Sequence, residues 1–152
     1  MKRALAGGYE LDDDPRRIDG DAVHDFVSNH SYWAPGRPRE VQEELTRQAI
    51  RVVGLYHRGE QVGFARVVSD GVMVAYLADV YVLPPHRGHG LGVALVAETI
   101  EHGPLAELRW ALHTADAHGL YRRFGFGPPP QFALERPKGW RPAGAQPPAT
   151  QA

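Results

Sequence analysis

Residues 49–83 alternate apolar and polar positions with a period of two, which predicts β-strands. Two dipeptides interrupt the alternation, Arg58-Gly59 and Asp70-Gly71, and both are typical of hairpin turns. The third segment, 72–83, ends at two prolines that cannot continue a strand ladder. The pattern therefore predicts three consecutive antiparallel strands in the middle of the chain.

Helical spacing of apolar residues appears on both sides of these strands. Before them it predicts a helix from Asp19 or Asp21 to about His30, then a loop over 31–38 and a second short helix whose spacing fits Val41, Leu45 and Gln48. After them it predicts helices over 90–102 and 116–124 and strands over 107–113 and 131–135, and a short strand opens 9–18. The pattern predicts a mixed α/β domain with one sheet.

Length and composition narrow the class of protein. The 152 residues fit one domain, which we place at 1–136, and the Pro-, Gly- and Ala-rich segment 137–152 is expected to be disordered or docked by Trp140 alone. The chain has no cysteine, a net charge of -1 and no apolar run long enough for a membrane helix. We expect a soluble, cytoplasmic protein that binds neither nucleic acid nor membrane. Its eight histidines form no metal-binding motif, so no metal is expected.

The segment VYVLPPHRGHGLG, residues 80–92, leads from a strand through a glycine-rich loop into a helix. Glycines at 88, 90 and 92 let the backbone approach a ligand, and the N–H groups at the start of a helix attract anions. Arg87 and His89 would add side-chain donors. The loop lacks the lysine that a P-loop requires, and it lacks a third glycine at the spacing of a dinucleotide-binding fold. It is therefore predicted to bind a different phosphate group.

The pattern Arg87-x-x-Gly90-x-Gly92 after Val80-x-Val82-x-Pro84 resembles the acetyl-CoA loop of the GNAT family of N-acetyltransferases. A second segment, HTADAHGLYRRFGF at 113–126, resembles the last-helix signature of that family and carries its residues at Ala117, Leu120, Tyr121, Gly125 and Phe126. The resemblance covers about residues 9–134. It implies a mixed α+β, GNAT-like fold: one twisted, mostly antiparallel sheet of six to seven strands, about four flanking helices, and two strands that splay apart at the acyl-CoA site.

The resemblance also assigns a cofactor site for acetyl-CoA. Loop amides would hold the pyrophosphate, and the preceding strand would offer backbone groups to the pantetheine arm. Thr114 stands where the family often has an asparagine. The residues so implied are Val80, Tyr81, Val82, Arg87, Gly88, His89, Gly90, Leu91, Gly92 and Thr114.

The implied reaction transfers acetyl from acetyl-CoA to a primary amine, which we expect to belong to a small molecule, by direct attack in a ternary complex. Tyr121 is the expected general acid. Several relatives carry a glutamate as base where this chain has Tyr76, which cannot serve at neutral pH. Asp79 and Asp116 are alternatives, each as base or as a structural group, and His113, His118 and a water chain also remain open. Strand alternation places Asp79 on the face opposite Tyr76, Val80 and Val82, and Asp116 would otherwise cap a helix.

Aromatic side chains dominate the expected acceptor side. Tyr32, Trp33 and Tyr76 offer flat surfaces for an amine that carries a ring or a carboxylate, with Trp33 as a hydrophobic plug in the alternative. Two other functions remain open: a non-catalytic acyl-CoA-binding sensor or partner domain, and a protein that binds another nucleotide in the same loop. A homodimer remains open beside the monomer.

Overall fold

Six strands form one sheet, in which neighbouring strands are also consecutive along the chain. The structure is a computed structural model that describes residues 1–146. Neighbouring strands are antiparallel except for the last pair, which is parallel. The strands are β1 (Lys2–Ala4), β2 (Tyr9–Asp12), β3 (Arg51–His57), β4 (Glu60–Ser69), β5 (Val74–Val82) and β6 (Arg109–Ala111). The three predicted central strands and both hairpin turns are confirmed.

Four helices flank the sheet, and they confirm the predicted mixed α+β class. The Asp19 side chain caps the first helix by accepting the Ala22 N–H at 3.0 Å. Gly90, in the left-handed conformation, caps the third. The helices are α1 (Gly20–His30), α2 (Arg39–Gln48), α3 (Leu91–Ile100) and α4 (His118–Arg122).

The sheet separates two apolar cores. On one face, Phe26 of α1 stacks on Tyr81 of β5 with ring centroids 4.1 Å apart, and Phe64 packs beside them. On the other face, α3 buries Leu95 and Val96 against the central strands. Both faces of the sheet are thus covered, which explains why β3 reads as a nearly continuous buried strand.

A bulge in β5 changes which way its side chains point. The pairing of β4 with β5 shifts between Phe64 and Arg66, and Asp79 adopts a φ of +52° there. In a regular strand Leu77 and Tyr81 would lie on the same face, because they are four residues apart. Here Leu77 packs in the core beside α3, whereas Tyr81 packs beside α1. Strict alternation was therefore a wrong guide to Asp79 relative to Tyr76, because the Asp79 carboxylate reaches Arg66 on the face that also carries Tyr76. Val80 and Val82 pack in the core on the opposite face, as predicted.

The strands β5 and β6 separate after a short paired stretch. Their register runs from Val74 with Arg109 to Tyr76 with Ala111. Beyond Tyr76, β5 continues to Val82 with no strand beside it on that edge in the described part of the chain. The predicted splay is confirmed, and it leaves backbone groups of β5 facing open space.

The structure differs from the sequence analysis at three further places. Residues 131–135 form no strand, and Phe132 and Leu134 are 79% and 95% exposed, because alternation alone supplies neither a neighbouring strand nor a core. The sixth strand is instead β1, which was not predicted. On α2, Val41 is 45% exposed and Gln42 is buried, because that helix turns a polar side chain toward Asp79.

The segment 137–146 lies in turns and irregular structure, where Trp140 stacks on the guanidinium of Arg136 with 4.5 Å between the charge and the ring centroid. Residues 147–152 of the expected disordered tail lie outside the described residues. The boundary near 136 stays a prediction.

Candidate active site

The glycine-rich loop presents bare backbone to open space. After a 3₁₀ turn over Pro84–His86, Gly88 and Gly90 adopt φ values of +87° and +71°, which glycine reaches without strain. A Cβ built at Gly88, Gly90 or Gly92 would meet no atom within 4 Å. A ligand can therefore lie directly against the main chain of this loop.

The amides of the loop lack partners. From Gly88 to Val93 the N–H groups make no hydrogen bond within residues 1–146, and Ala94 is the first to bond back, to the Gly90 carbonyl at 3.1 Å. These donors converge at the start of α3, where the helix dipole adds positive potential. Such an arrangement fits a pyrophosphate, so the loop suits the acetyl-CoA that the sequence predicted.

Side chains beside the loop have structural contacts as well. The Nε of Arg87 donates to the Val82 carbonyl at 2.8 Å, which ties the loop to the end of β5 and leaves the terminal nitrogens of the guanidinium at the surface. His89 is exposed, and His86 contacts the Tyr9 hydroxyl through Nδ1 at 2.8 Å. Leu91 is buried under the loop, so only its amide faces outward.

The open edge of β5 continues this row of backbone groups. Leu83 donates its N–H to Val62 of β4 at 2.8 Å, whereas the Val82 carbonyl points away, toward Arg87. Because alternate residues of a strand direct their polar groups to opposite edges, the amides of Val80 and Val82 face the splay. Tyr81 contributes no side chain there, because its ring is buried against α1.

Tyr121 lies on α4 with its ring buried against Phe126. Burial raises the pKa of its hydroxyl to about 12, and the nearby Tyr32 and Asp116 add to the rise. No described residue forms a hydrogen bond to this hydroxyl, in contrast to the buried hydroxyl of Tyr56, which donates to the Arg17 carbonyl. Tyr121 is therefore a protonated and unengaged donor at neutral pH.

Asp79 is fully engaged. Its carboxylate accepts hydrogen bonds from Trp33 Nε1, Arg37 Nη1 and Arg66 Nε, each at 2.9 Å, and from Gln42 at 3.5 Å. Burial opposes its ionisation, but the charges of Arg66 and Arg37 and the Trp33 hydrogen bond outweigh it, so the pKa of Asp79 lies below its usual value. The group joins the 31–38 loop and α2 to the sheet.

The 31–38 loop reaches across to the turn before α4. The Tyr32 hydroxyl accepts the Ala115 N–H at 2.9 Å and donates to Asp116 at 3.4 Å. Tyr32 and Trp33 meet edge to face and are 53% and 38% exposed, so both present ring surface, and Tyr32 lies near Tyr121. The prediction that Asp116 caps α4 is wrong, because Ala117 occupies the cap position and its N–H donates to Thr114.

Tyr76 is connected through His113 to Glu135, a residue that the sequence analysis did not place in the site. Its hydroxyl lies 2.5 Å from Nδ1 of His113, and the other ring nitrogen of His113 contacts the carboxylate of Glu135. Glu135 was missed because it was predicted to lie in a strand. Its contact spans 22 residues and has no local sequence signal.

The family model described as the acetyltransferase (GNAT) family matches residues 17–126, which include the loop, the splay and Tyr121. The chain belongs to the GNAT family. A GNAT-family protein from Xanthomonas campestris pv. campestris has a crystal structure that matches 84% of this chain and 92% of its own, with 40% identity and a TM-score of 0.79. A Gibberella zeae protein assigned as an acetyltransferase is 28% identical over 141 residues, 78% of this chain and 79% of its own length.

A GNAT acetyltransferase from Brucella melitensis, solved in complex with acetyl-CoA, shares the fold at 19% identity with a TM-score of 0.62, over 79% of this chain and 83% of its own. Within residues 1–146 of the present GNAT protein, no three side chains are grouped to hold a metal ion. None of its described helices combines the length and apolarity needed to cross a membrane.

Proposed function

We propose that this GNAT protein is an N-acetyltransferase that moves the acetyl group of acetyl-CoA to a primary amine of a small molecule, by direct attack within a ternary complex. The observation that carries the proposal is the presence of unpartnered backbone N–H groups in two neighbouring places, the open edge of β5 and residues 88–93 at the start of α3. These donors have no use in folding, because unpaired N–H groups stabilise nothing by themselves.

In this proposal the loop amides of 88–93 hold the pyrophosphate, with Arg87 as an additional cation. The open edge at Val80 and Val82 pairs with the pantetheine arm. The Val80 N–H also donates to the acetyl oxygen as negative charge develops there, a contribution of about 3 kcal/mol in comparable sites. Acetyl-CoA supplies an activated thioester, so the chain needs only to orient it, to accept one proton and to return one.

Tyr121 is the proposed source of the returned proton. Its hydroxyl is protonated at neutral pH and has no competing partner among the described residues. A departing thiolate is a strong enough base to take that proton at close range. Asp79 is proposed as a structural group, because its carboxylate already accepts from two arginines and a tryptophan. Thr114 is proposed to act through the turn that it stabilises before α4.

The acceptor is proposed to enter beside the 31–38 loop, where Tyr32 and Trp33 offer exposed ring faces. The Tyr32 ring lies close to Tyr121 through its contacts with the turn before α4, and Trp33 packs edge to face against Tyr32. Flat aromatic surface on this side favours a small amine with a ring or an apolar chain.

A panel of small primary amines with acetyl-CoA and detection of the free thiol tests the proposal. Turnover of at least one amine well above hydrolysis of acetyl-CoA alone is expected, with intersecting lines in a two-substrate analysis because both substrates must be bound together. Parallel lines would contradict direct attack. Tight binding of acetyl-CoA without turnover of any amine would favour the non-catalytic acyl-CoA sensor.

A further inference from the structure

Three side chains from distant parts of the chain form a hydrogen-bonded series at the mouth of the splay. Tyr76 comes from β5, His113 follows β6, and Glu135 lies in the irregular segment after α4. The Tyr76 hydroxyl is 2.5 Å from His113 Nδ1, and His113 Nε2 contacts the Glu135 carboxylate. The last paired residues of β5 and β6 are Tyr76 and Ala111, so the series stands where the two strands begin to diverge.

The chemistry of the three groups fixes the direction of each hydrogen bond. An ionised carboxylate can only accept, so neutral His113 must carry its hydrogen on Nε2 and donate it to Glu135. Nδ1 then has a free lone pair, and the Tyr76 hydroxyl donates to it. The oxygen of Tyr76 keeps lone pairs of its own, which can accept a proton from a group in the splay.

The remaining charged groups near Tyr76 do not compete for this role. Burial raises the pKa of the Tyr76 hydroxyl, and the negative charges of Glu135 and Asp79 raise it further. The positive charge of Arg66 on β4 partly opposes this rise. Tyr76 therefore stays protonated and can only pass a proton along. Asp79 is neutralised by its arginines, whereas the His113 and Glu135 side chains are 63% and 72% exposed, so protons can leave to solvent.

We infer that His113 is the proton acceptor of the acetyl transfer, reached through the Tyr76 hydroxyl, and that Glu135 is a positioning residue that stabilises the protonated imidazole. The inference rests on the proposed function. As the amine nitrogen forms its bond to the acetyl carbon, it gives one proton to the Tyr76 oxygen, whose own proton moves to His113 Nδ1. The electron pair of the broken C–S bond leaves with sulfur, which takes a proton from Tyr121. Solvent then returns the proton from His113 to Tyr121.

Steady-state kinetics of His113→Gln, Tyr76→Phe and Glu135→Gln test this relay. His113→Gln and Tyr76→Phe should each lower kcat about a hundredfold and leave the Kd of acetyl-CoA unchanged, because only proton transfer is lost. The matched control is His102→Gln, since His102 also contacts a glutamate, Glu98 at 3.4 Å, but at the far end of α3. It should keep the parent kcat. A kcat for His113→Gln within threefold of the parent would overturn the inference.

The pH profile separates a proton acceptor from a structural histidine. The kcat/KM of the parent should fall toward acidic pH, and Glu135→Gln should change this acid limb, because the neutral amide no longer stabilises the imidazolium that forms during proton transfer. An acid limb that is identical in the parent and Glu135→Gln would overturn the positioning role.

Nuclear magnetic resonance of His113 gives a readout that does not need turnover. When His113 is neutral, the ring should carry its hydrogen on Nε2, and Glu135→Gln should weaken this tautomer preference because the carboxylate acceptor is lost. Hydrogen on Nδ1 would overturn the relay whatever the kinetics. If the parent acetylates no amine while His113 shows the expected tautomer, the proposed function fails and the hydrogen-bonded series stands.

Discussion

Two regions that meet at β5 are built in opposite ways. On the α1 side of the bulge, Asp79 is surrounded by donors from four other residues, and every polar atom of its carboxylate is used. At the open edge and the glycine-rich loop, a row of backbone donors has no partner within the described residues. The strand itself is the same in both regions, and only the surroundings of its two sides differ.

The difference separates groups that hold the fold from groups that can bind a ligand. A buried carboxylate stabilises the folded state only when it is paired, so its neighbours must complete its hydrogen bonds. Donors that meet a ligand must instead stay free until it arrives. In this protein the buried carboxylate of Asp79 is fully paired, whereas the loop amides at the start of α3 are unpaired within the described residues.

The largest effect is expected on stability, when the Asp79 carboxylate is removed. Asp79→Ala leaves Arg66 buried without its counter-charge and removes the partner of Arg37, so unfolding free energy should fall by about 3 to 5 kcal/mol. Chemical denaturation measures it. The matched control is Asp21→Ala, which breaks the exposed pair with Arg39 and should cost less than about 1 kcal/mol. Equal losses in the two variants would contradict the structural role of Asp79.

Lowering the pH should also destabilise the protein through Asp79. The folded state holds the pKa of Asp79 below its usual value, so protonation favours unfolding. Its contribution is therefore complete at neutral pH and is lost as the pH falls below about 4. The parent should lose stability more steeply than Asp79→Ala in denaturation series between neutral pH and pH 3. Parallel curves for the two proteins would show that Asp79 does not titrate with folding.

On the ligand side, Tyr121→Phe should lower kcat about a hundredfold and keep the Kd of acetyl-CoA, because the ring still packs and only the proton donor is lost. Tyr56→Phe is the matched control, since Tyr56 is also buried and its pKa is likewise raised to about 12 by burial. It loses the bond to Arg17 and should lose about 1 kcal/mol of stability at the parent kcat. A Tyr121→Phe enzyme as fast as the parent would leave Tyr121 with a packing role only.

A side chain placed in the open space above the glycine-rich loop tests whether that loop binds acetyl-CoA. Acetyl-CoA at a hundred times its Kd should stabilise the parent by about 2.7 kcal/mol, seen as a rise in Tm, and Gly90→Val should abolish that rise. Gly59→Val is the control, because Gly59 has a φ of +91° and equally open surroundings in the β3–β4 turn. It should suffer similar backbone strain and keep the full ligand-induced shift. A full shift in Gly90→Val would contradict the assignment of the loop.

The sequence was a good guide wherever short-range patterns decide the structure. The central strands, α1, α3 and the glycine-rich loop follow from periodicity, caps and turn residues within a few positions of each other. It was a poor guide where distant segments meet. The bulge at Asp79 reverses alternation because α2 and the 31–38 loop supply donors there, and Glu135 reaches His113 across 22 residues. Local patterns carry no information on such contacts.

The smallest expected effect lies at Trp33, where the two regions touch. Its indole N–H holds Asp79, whereas its 38% exposed face lies beside Tyr32. Trp33→Phe removes the donor and keeps a ring, so stability should fall by about 1 kcal/mol, since Arg37 and Arg66 still hold Asp79, and the acceptor KM should change little. Trp33→Ala removes the face as well, so the acceptor KM should rise several-fold more than in Trp33→Phe, with the Kd of acetyl-CoA constant in both. Because the two variants share the lost hydrogen bond, the difference between them isolates the ring face. Equal acceptor KM values in the two variants, together with a larger loss of Tm in Trp33→Ala, would place Trp33 entirely with the structural region, as a plug beside Phe26.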